Sequence, residues 1–317
     1  MTPGQATTPE HLRAEAAIAA VHDWRGTAID YRDVTAPVMS PMHRNVDSLC
    51  FVVEVDATTY FLKITHPDGG EISVPRAFAA ASLAARHGIS PTPLHCVAAH
   101  DAIVFAFLGE GWRTARVDDL REPDTMAATI AAKKRLQAQP RLGNTWSVFD
   151  GIREIAPAAT ERGAVDRASI QWMLAAADDI EAAFAAAGFD LAPCHADGLA
   201  SNIMLGPNGA VRLVDFDRAC DTDPLYDLGI LLNEAYAFEE EMAPALEAFE
   251  GGVRQATLHR CRLYAIADDL YWALWASERA ATTTRPGVEF LKYAQWRFLR
   301  CRMALLDPRF ERMLRTI

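Results

Sequence analysis

The chain has 317 residues, of which 50% are apolar and 23% charged, and a formal net charge of −11 at pH 7. That balance is ordinary for a globular protein, and the length allows one large or two medium domains. An acidic chain without a basic stripe argues against a nucleic-acid partner, and no apolar run is long enough for membrane insertion.

The six scattered cysteines include no CxxC pair, which argues against a zinc site or a disulfide framework. The N-terminus, MTPGQATTPEHLRAEAAIAAVHDW, has no basic segment followed by an apolar core, so the expectation is a soluble cytoplasmic protein. Beyond this N-terminal helical extension, LCFVVEV and TYFLKI are β-branched and aromatic runs separated by DATT, which predicts a hairpin. VPRAFAAASLAARHGIS predicts a helix ended by Gly88, with Pro91 beyond it, and AIVFAFL predicts another strand. The expected order is β-β-α-β. GEGW, Gly109 to Trp112, is a turn-rich break that reads as a hinge, dividing a small lobe (1–109) from a larger one (110–317).

After the break the chain reads as mainly helical. DTMAATIAAKKRLQAQ has Asp124 as its expected N-cap, and a second helix runs from Asp166 to Gly188. Short strands around NIML and VRLVDF follow, joined by the turn GPNG, and helices dominate from Leu225 to the end. The predicted class is α+β: a small N-lobe with an antiparallel sheet and one helix, a large mainly helical C-lobe, and a ligand cleft between them.

The stretch CHADGLASNIMLGPNGAVRLVDFD, Cys194 to Asp217, concentrates His195, Asp197, Asn202, Asp215 and Asp217 among apolar residues. Phosphoryl transfer from ATP needs a carboxylate at the acceptor hydroxyl, oxygen ligands for Mg²⁺, and cations on the phosphates. Asp197 in a loop, Asn202 at a strand start and Asp215 at the next strand's end can supply the carboxylate and the hard-cation ligands. Each of these residues alone also reads as an ordinary turn or cap residue.

HADGLASN, VDFD and DPLYDLG together resemble the catalytic core of the aminoglycoside phosphotransferase and choline kinase superfamily, whose fold is protein-kinase-like. The resemblance implies Asp197 as the catalytic base, Asn202 and Asp215 as Mg²⁺ ligands, His195 as a support of the loop, and Asp227 as a buried brace. It also implies that Lys63, in TYFLKI, contacts the nucleotide phosphates. On the residues alone Lys63 is either an inward cation needing an anionic partner or an outward solvated lysine.

In LYAIADDLYWALWASE, Asp268, Trp272 and Trp275 follow helical spacing, and EFLKYAQWRF adds Tyr293. Two tryptophans and a tyrosine can form a cage for a quaternary ammonium, or simply pack in a helical core. The WxxW pair and the later YAQWRF resemble choline/ethanolamine kinases. That match implies that Trp272, Trp275 and Tyr293 line a choline pocket, with Glu234 near the ammonium and Asp217 in place of a glutamate common in relatives. The implied reaction is ATP-dependent phosphorylation of choline or a related amino alcohol. A kinase of the same fold acting on thiamine, an aminoglycoside or a sugar is the second reading, and a catalytically inactive binding module the third.

The chain departs from the family in its first hairpin, where SPMHRNVDSLCFVV lacks the usual glycine pair. Phosphate contact then falls to Arg44, Asn45 or Ser48. The helix after Lys63 has no glutamate, so Glu71 just before it is the nearest partner, and RLQAQ stands where relatives carry Leu-His.

Overall fold

The computed structural model describes residues 1–34, 48–67, 72–285 and 288–317. Arg44, Asn45 and Glu71, with most of the glycine-free hairpin entry, therefore lie outside the described residues. Helix α1 (Pro9–Ala19) is capped by the Thr8 hydroxyl, which accepts from His11 N. Its Ala14, Ala17 and Ile18 pack with Phe51, Val53, Leu62 and Ile64 on one face of a five-stranded antiparallel sheet.

That sheet contains β1 (Ile29–Asp33), β2 (Ser48–Val55), β3 (Thr58–Thr65), β4 (Pro93–Val97) and β5 (Ala102–Ala106), in the order β1-β2-β3-β5-β4. The expected β2–β3 hairpin is present. Its turn shrinks to Asp56 and Ala57, because Val55 pairs with Thr58 and both threonines of DATT join β3. Helix α2 (Val74–Arg86) connects β3 to β4 and buries Ala77, Ala80, Ala81 and Ala84 along one side. Two strands of this sheet were not anticipated. β1, IDYRD, fully buries only Tyr31, and β4 is an edge strand that opens on a proline and carries an irregularity.

The second lobe begins with β6 (Arg113–Thr114), α3 (Val117–Arg121) and α4 (Pro123–Gln137). Asp124 is not the cap of α4: Pro123 occupies the first helical position, where its missing N–H is no loss, and Asp124 falls inside the first turn. Then come α5 (Val148–Glu161), α6 (Arg167–Ala187), β7 (Ala192–Cys194), β8 (Ile203–Leu205), β9 (Val211–Leu213) and β10 (Cys220–Thr222). Asp166 caps α6 by accepting from Ala168 N and Ser169 N, and Gly188 at φ 74° ends it. The chain closes with α7 (Pro224–Ala235), α8 (Ala243–Glu250), α9 (Gln255–Thr282), α10 (Phe290–Leu305) and α11 (Phe310–Arg315). The α+β architecture is thus an antiparallel-sheet lobe followed by a mainly helical lobe. One buried cluster runs from the alanines of α2 through Leu213 of β9 to Leu231 of α7, so the two lobes share a core where they meet.

Candidate active site

Two strand pairings and one backbone hydrogen bond place the polar stretch at the junction of the lobes. β7 pairs with β10 through Cys194 and Cys220, and the loop 195–202 leaves from the end of β7. β8 pairs with β9, and Val214 N donates to Asn202 O at 2.9 Å, which sets Asn202 beside Asp215. Ala196 and Asp215 both adopt left-handed backbone, at φ 56° and 67°. Such conformations are unfavourable for non-glycine residues and persist where surrounding bonds enforce them.

Within the loop, Asp197 Oδ1 accepts from Leu199 N at 2.8 Å and its Oδ2 accepts from Asn202 Nδ2 at 2.9 Å. Burial raises the Asp197 carboxyl above its ordinary range. His195 is buried and does not line the pocket; its Nε2 lies 2.9 Å from Val214 O and its Nδ1 3.2 Å from Asp197 O. The ring therefore ties the loop to the segment just after β9 that carries Asp215.

Lys63 faces inward from β3, with Nζ 2.7 Å from both Asp215 Oδ1 and Asp217 Oδ1. Its anionic partners come from the other lobe, since α2 contains no acidic residue. Burial disfavours charge on all three groups, yet the two carboxylates raise Lys63 well above its ordinary value. Burial likewise opposes ionisation of Asp215, but the ammonium outweighs it and holds this carboxyl low. One cation cannot neutralise two acids. Burial, with the Asp215 charge beside it, pushes Asp217 up to about 6.

Beneath the loop lies an ion pair of which the sequence reading named Asp227 and not Lys133. Asp227 Oδ1 accepts from Ala196 N at 2.9 Å and from Lys133 Nζ at 2.7 Å, and the same ammonium donates to Asp197 O at 2.9 Å. Asp227 thus sits under the loop with Lys133 as its partner. The available signal was an inward lysine on α4, three residues after buried Ile130 and three before buried Leu136. Gly198 completes the support, because a Cβ there would meet Ile230 C and O of α7 at 2.6 Å.

A pocket of about 70 Å³ opens over this loop. Its lining includes Ser48, Asp197, Asn202, Asp215, Asp217 and Glu234. Asp268, Trp272, Tyr293 and the guanidinium groups of Arg218, Arg297 and Arg300 also face it. Ser48 Oγ is buried without a hydrogen-bond partner among the described residues. Glu234 Oε1 accepts from Ala200 N at 3.3 Å, and burial raises this carboxyl. Tyr226 OH donates to Asp268 Oδ1 at 2.9 Å, while Arg297 Nη1 reaches both Asp268 and Asp269.

The three aromatic residues do not share one chamber. Trp272 and Tyr293 line the pocket with Asp197, whereas Trp275 lines a second chamber of about 470 Å³ on the other side of Trp272. Trp272 and Trp275 meet edge to face, with centroids 5.2 Å apart. Each of the three rings carries a guanidinium: Arg218 lies 4.9 Å from the Trp272 centroid, Arg279 lies 5.5 Å from Trp275, and Arg297 lies 5.3 Å from Tyr293. None of these arginines had been singled out. Arg297, one turn after Tyr293, and Arg279, one turn after Trp275, had a spacing that could have marked them.

The fold is shared with solved kinases. A choline/ethanolamine kinase family protein from Mesorhizobium loti superposes with TM-score 0.80 at 25% identity, covering 97% of this chain and 98% of that one. Choline kinase LicA from Streptococcus pneumoniae gives 0.74 at 17% identity over 93% and 99%, and LicA has also been solved in complex with AMP. Plasmodium vivax ethanolamine kinase gives 0.72 at 13% identity over 96% and 88%. No curated protein sequence matches the chain. The family model described as the phosphotransferase enzyme family, APH, matches residues 40–264, from the strands that carry Lys63 through the loop of Asp197 and into α9, and the chain belongs to that family.

Proposed function

We propose that this phosphotransferase moves the γ-phosphoryl group of ATP to the hydroxyl of choline or a related small amino alcohol. The observation that carries this reading is the convergence on one pocket of Asp197, Asn202 and Asp215 with Glu234, Asp268 and Trp272. In the reaction the acceptor oxygen bonds to the γ-phosphorus, the bond from that phosphorus to the bridging oxygen breaks, and ADP leaves. The hydroxyl proton goes to Asp197, which can turn a carboxylate oxygen to the acceptor while Leu199 N and Asn202 Nδ2 fix its orientation.

Asn202 and Asp215 would hold Mg²⁺, and both supply the hard oxygen donors that this ion requires. Among the described residues no three His, Cys, Asp or Glu side chains are grouped to hold a metal. That fits an ion taken up with the nucleotide, since Mg²⁺ commonly uses one or two carboxylates and completes its shell with phosphate oxygens. When bound, the ion neutralises phosphate charge. Among the described residues, the Ser48 hydroxyl, which has no partner there, and the Lys63 ammonium would be the groups for the phosphates. Glu234 and Asp217 would attract the acceptor's ammonium.

The test is ADP release from Mg-ATP with a panel of amino alcohols, thiamine, sugars and aminoglycosides. Release that depends on an amino alcohol and disappears in Asp197→Asn is the expected outcome. Binding of ligands without turnover on any acceptor would replace this reading with that of a binding module.

A further inference from the structure

Helix α10 buries Phe290, Tyr293, Phe298, Cys301 and Leu305 on the side that packs against α9. A surface helix ordinarily turns polar residues to the opposite side. Here Trp296, Leu299, Met303 and Leu306 stand 44%, 47%, 66% and 74% exposed. At 3.6 residues per turn the four fall within an arc of about 80°. We propose that this stripe is the contact of a homodimer, in which α10 of a second copy lies antiparallel against it.

The spacing favours a copy of the same helix. Trp296, Leu299, Met303 and Leu306 follow one another at three, four and three residues, the a and d spacing of helices that pack side by side. That order reads the same from either end. A copy running the opposite way therefore presents the same spacing, with Leu299 level with Met303 near the two-fold axis and Trp296 level with Leu306 outside it. An isologous interface needs this self-complementarity. Tryptophan is also enriched among the anchors of interfaces.

The area is sufficient. The exposed parts of the four side chains come to roughly 500 Å², and Leu291 on the flank of the helix raises this to roughly 600 Å². A monomer's largest apolar patch typically reaches about 300–600 Å². Two copies bring together about 1,200 Å², the lower bound of a specific interface, before the polar flanks are counted.

Charge sets the direction. Lys292, half exposed beside Glu289, lies one turn before Trp296. At the other end, three residues after Leu306, Arg309 bonds Glu239 at 2.8 Å and so brings the exposed Glu240 to that end of the stripe. An antiparallel pair sets each Lys292 toward the glutamate end of the other copy, whereas a parallel pair sets lysine beside lysine. The same glutamate run disfavours an anionic bilayer as the partner.

The experiment is sedimentation velocity of the full chain at about 50 µM, because interfaces of this size bind in the micromolar range or tighter. The expected species has twice the 34.8 kDa of one chain. Leu299→Glu and Met303→Glu bury like charges in the seam and should each weaken association at least about a hundredfold. Both positions are exposed, so circular dichroism and thermal unfolding of the separated monomers should remain native. Leu12→Glu, at an exposed leucine of α1, should leave the dimer intact.

Cross-linking tests the direction. Gln295→Cys and Leu306→Cys, each combined with Cys96→Ser to remove the exposed native thiol, are mixed with a short bis-maleimide. In the antiparallel pair the two positions face each other, while each lies about 15–18 Å from its own counterpart. The mixture should cross-link and neither variant alone should.

A monomer at this concentration overturns the inference, as does a dimer that survives both glutamate substitutions. Self-cross-linking of Gln295→Cys in place of the mixed product overturns the antiparallel order. A monomer that floats with phospholipid vesicles, and no longer does so as Leu299→Glu, would assign the stripe to a membrane surface and overturn the dimer.

Discussion

Lys133 Nζ lies 2.7 Å from Asp227 Oδ1 in a pair almost wholly removed from solvent, and each partner also bonds the loop that carries Asp197. Asp227 accepts from the backbone of Ala196, and Lys133 donates to the carbonyl of Asp197. The loop is held from below by one ion pair.

Removing one partner of such a pair leaves the other charge buried and uncompensated, which costs about 3–5 kcal/mol. Lys133→Met should therefore lower unfolding free energy by about that amount in urea titrations, and turnover should fall with it. The double variant Lys133→Met with Asp227→Leu should recover much of the stability, because no lone charge remains. It should not recover turnover, since Ala196 N has lost the acceptor that holds its left-handed backbone. Full recovery of activity in the double variant would refute the bracing role.

Gly198 makes a separate prediction, through contact instead of charge. A methyl group at this position would overlap the α7 backbone at Ile230, where no flexible side chain can yield. Gly198→Ala should push the loop away from α7, lowering stability by about 1–3 kcal/mol. Asp197 rides on the same segment, so kcat should drop more than the stability loss alone explains. Wild-type kcat in a folded Gly198→Ala protein would show that the loop tolerates the shift.

How much of this was legible follows from the range of each interaction. The β2–β3 hairpin, α2 and α6 with its Asp166 cap rest on neighbours in sequence, and the sequence reading located them. The polar stretch from His195 to Asp217 was legible because its spacing is carried by a short hairpin. The bridge from Lys63 to Asp215 spans 152 positions, and the pair of Lys133 with Asp227 spans 94. Neither pairing has a local signature. The aromatic residues were misleading for a different reason: α9 is buried on nearly every side, so helical spacing within it marks no single face. Trp272 and Trp275, three residues apart, both line the larger chamber, and of the two only Trp272 also reaches the pocket of Asp197.

Asp268 links the site to pH. Burial, with the Asp269 charge beside it, outweighs Arg297, the Tyr226 hydroxyl and Arg300 and pushes this carboxyl from 3.8 up to about 6. Arg297 lies 3.4 Å from Asp268 but closer to Asp269, which also accepts from Arg300, while Tyr226 OH donates to Asp268 from α7. Between the ordinary value and about 6 the native state holds a proton that the unfolded state releases. The contribution of Asp268 to stability is therefore fully retained at low pH and declines as pH rises through this window. Asp268→Asn should flatten that part of the stability profile. Denaturant unfolding of both proteins from pH 4 to 7 checks it, and parallel profiles would exclude Asp268 as the source.

Trp272 stands between the two chambers and supports Arg218, so its removal should affect the acceptor and not the nucleotide. In Trp272→Ala the compartments merge and the guanidinium loses its ring. A cation–π contact of this kind is worth about 0.5–2 kcal/mol, which corresponds to an acceptor KM roughly 2- to 30-fold higher. The KM for ATP should remain near its original value, because Ser48, Lys63 and Asp215 are carried by β2, β3 and the segment after β9 and not by α9. Trp272→Phe, which keeps an aromatic face, should recover most of the loss. Steady-state kinetics with each substrate varied in turn separates the two effects. A rise confined to the ATP KM, or an unchanged acceptor KM in Trp272→Ala, would place the acceptor away from this wall.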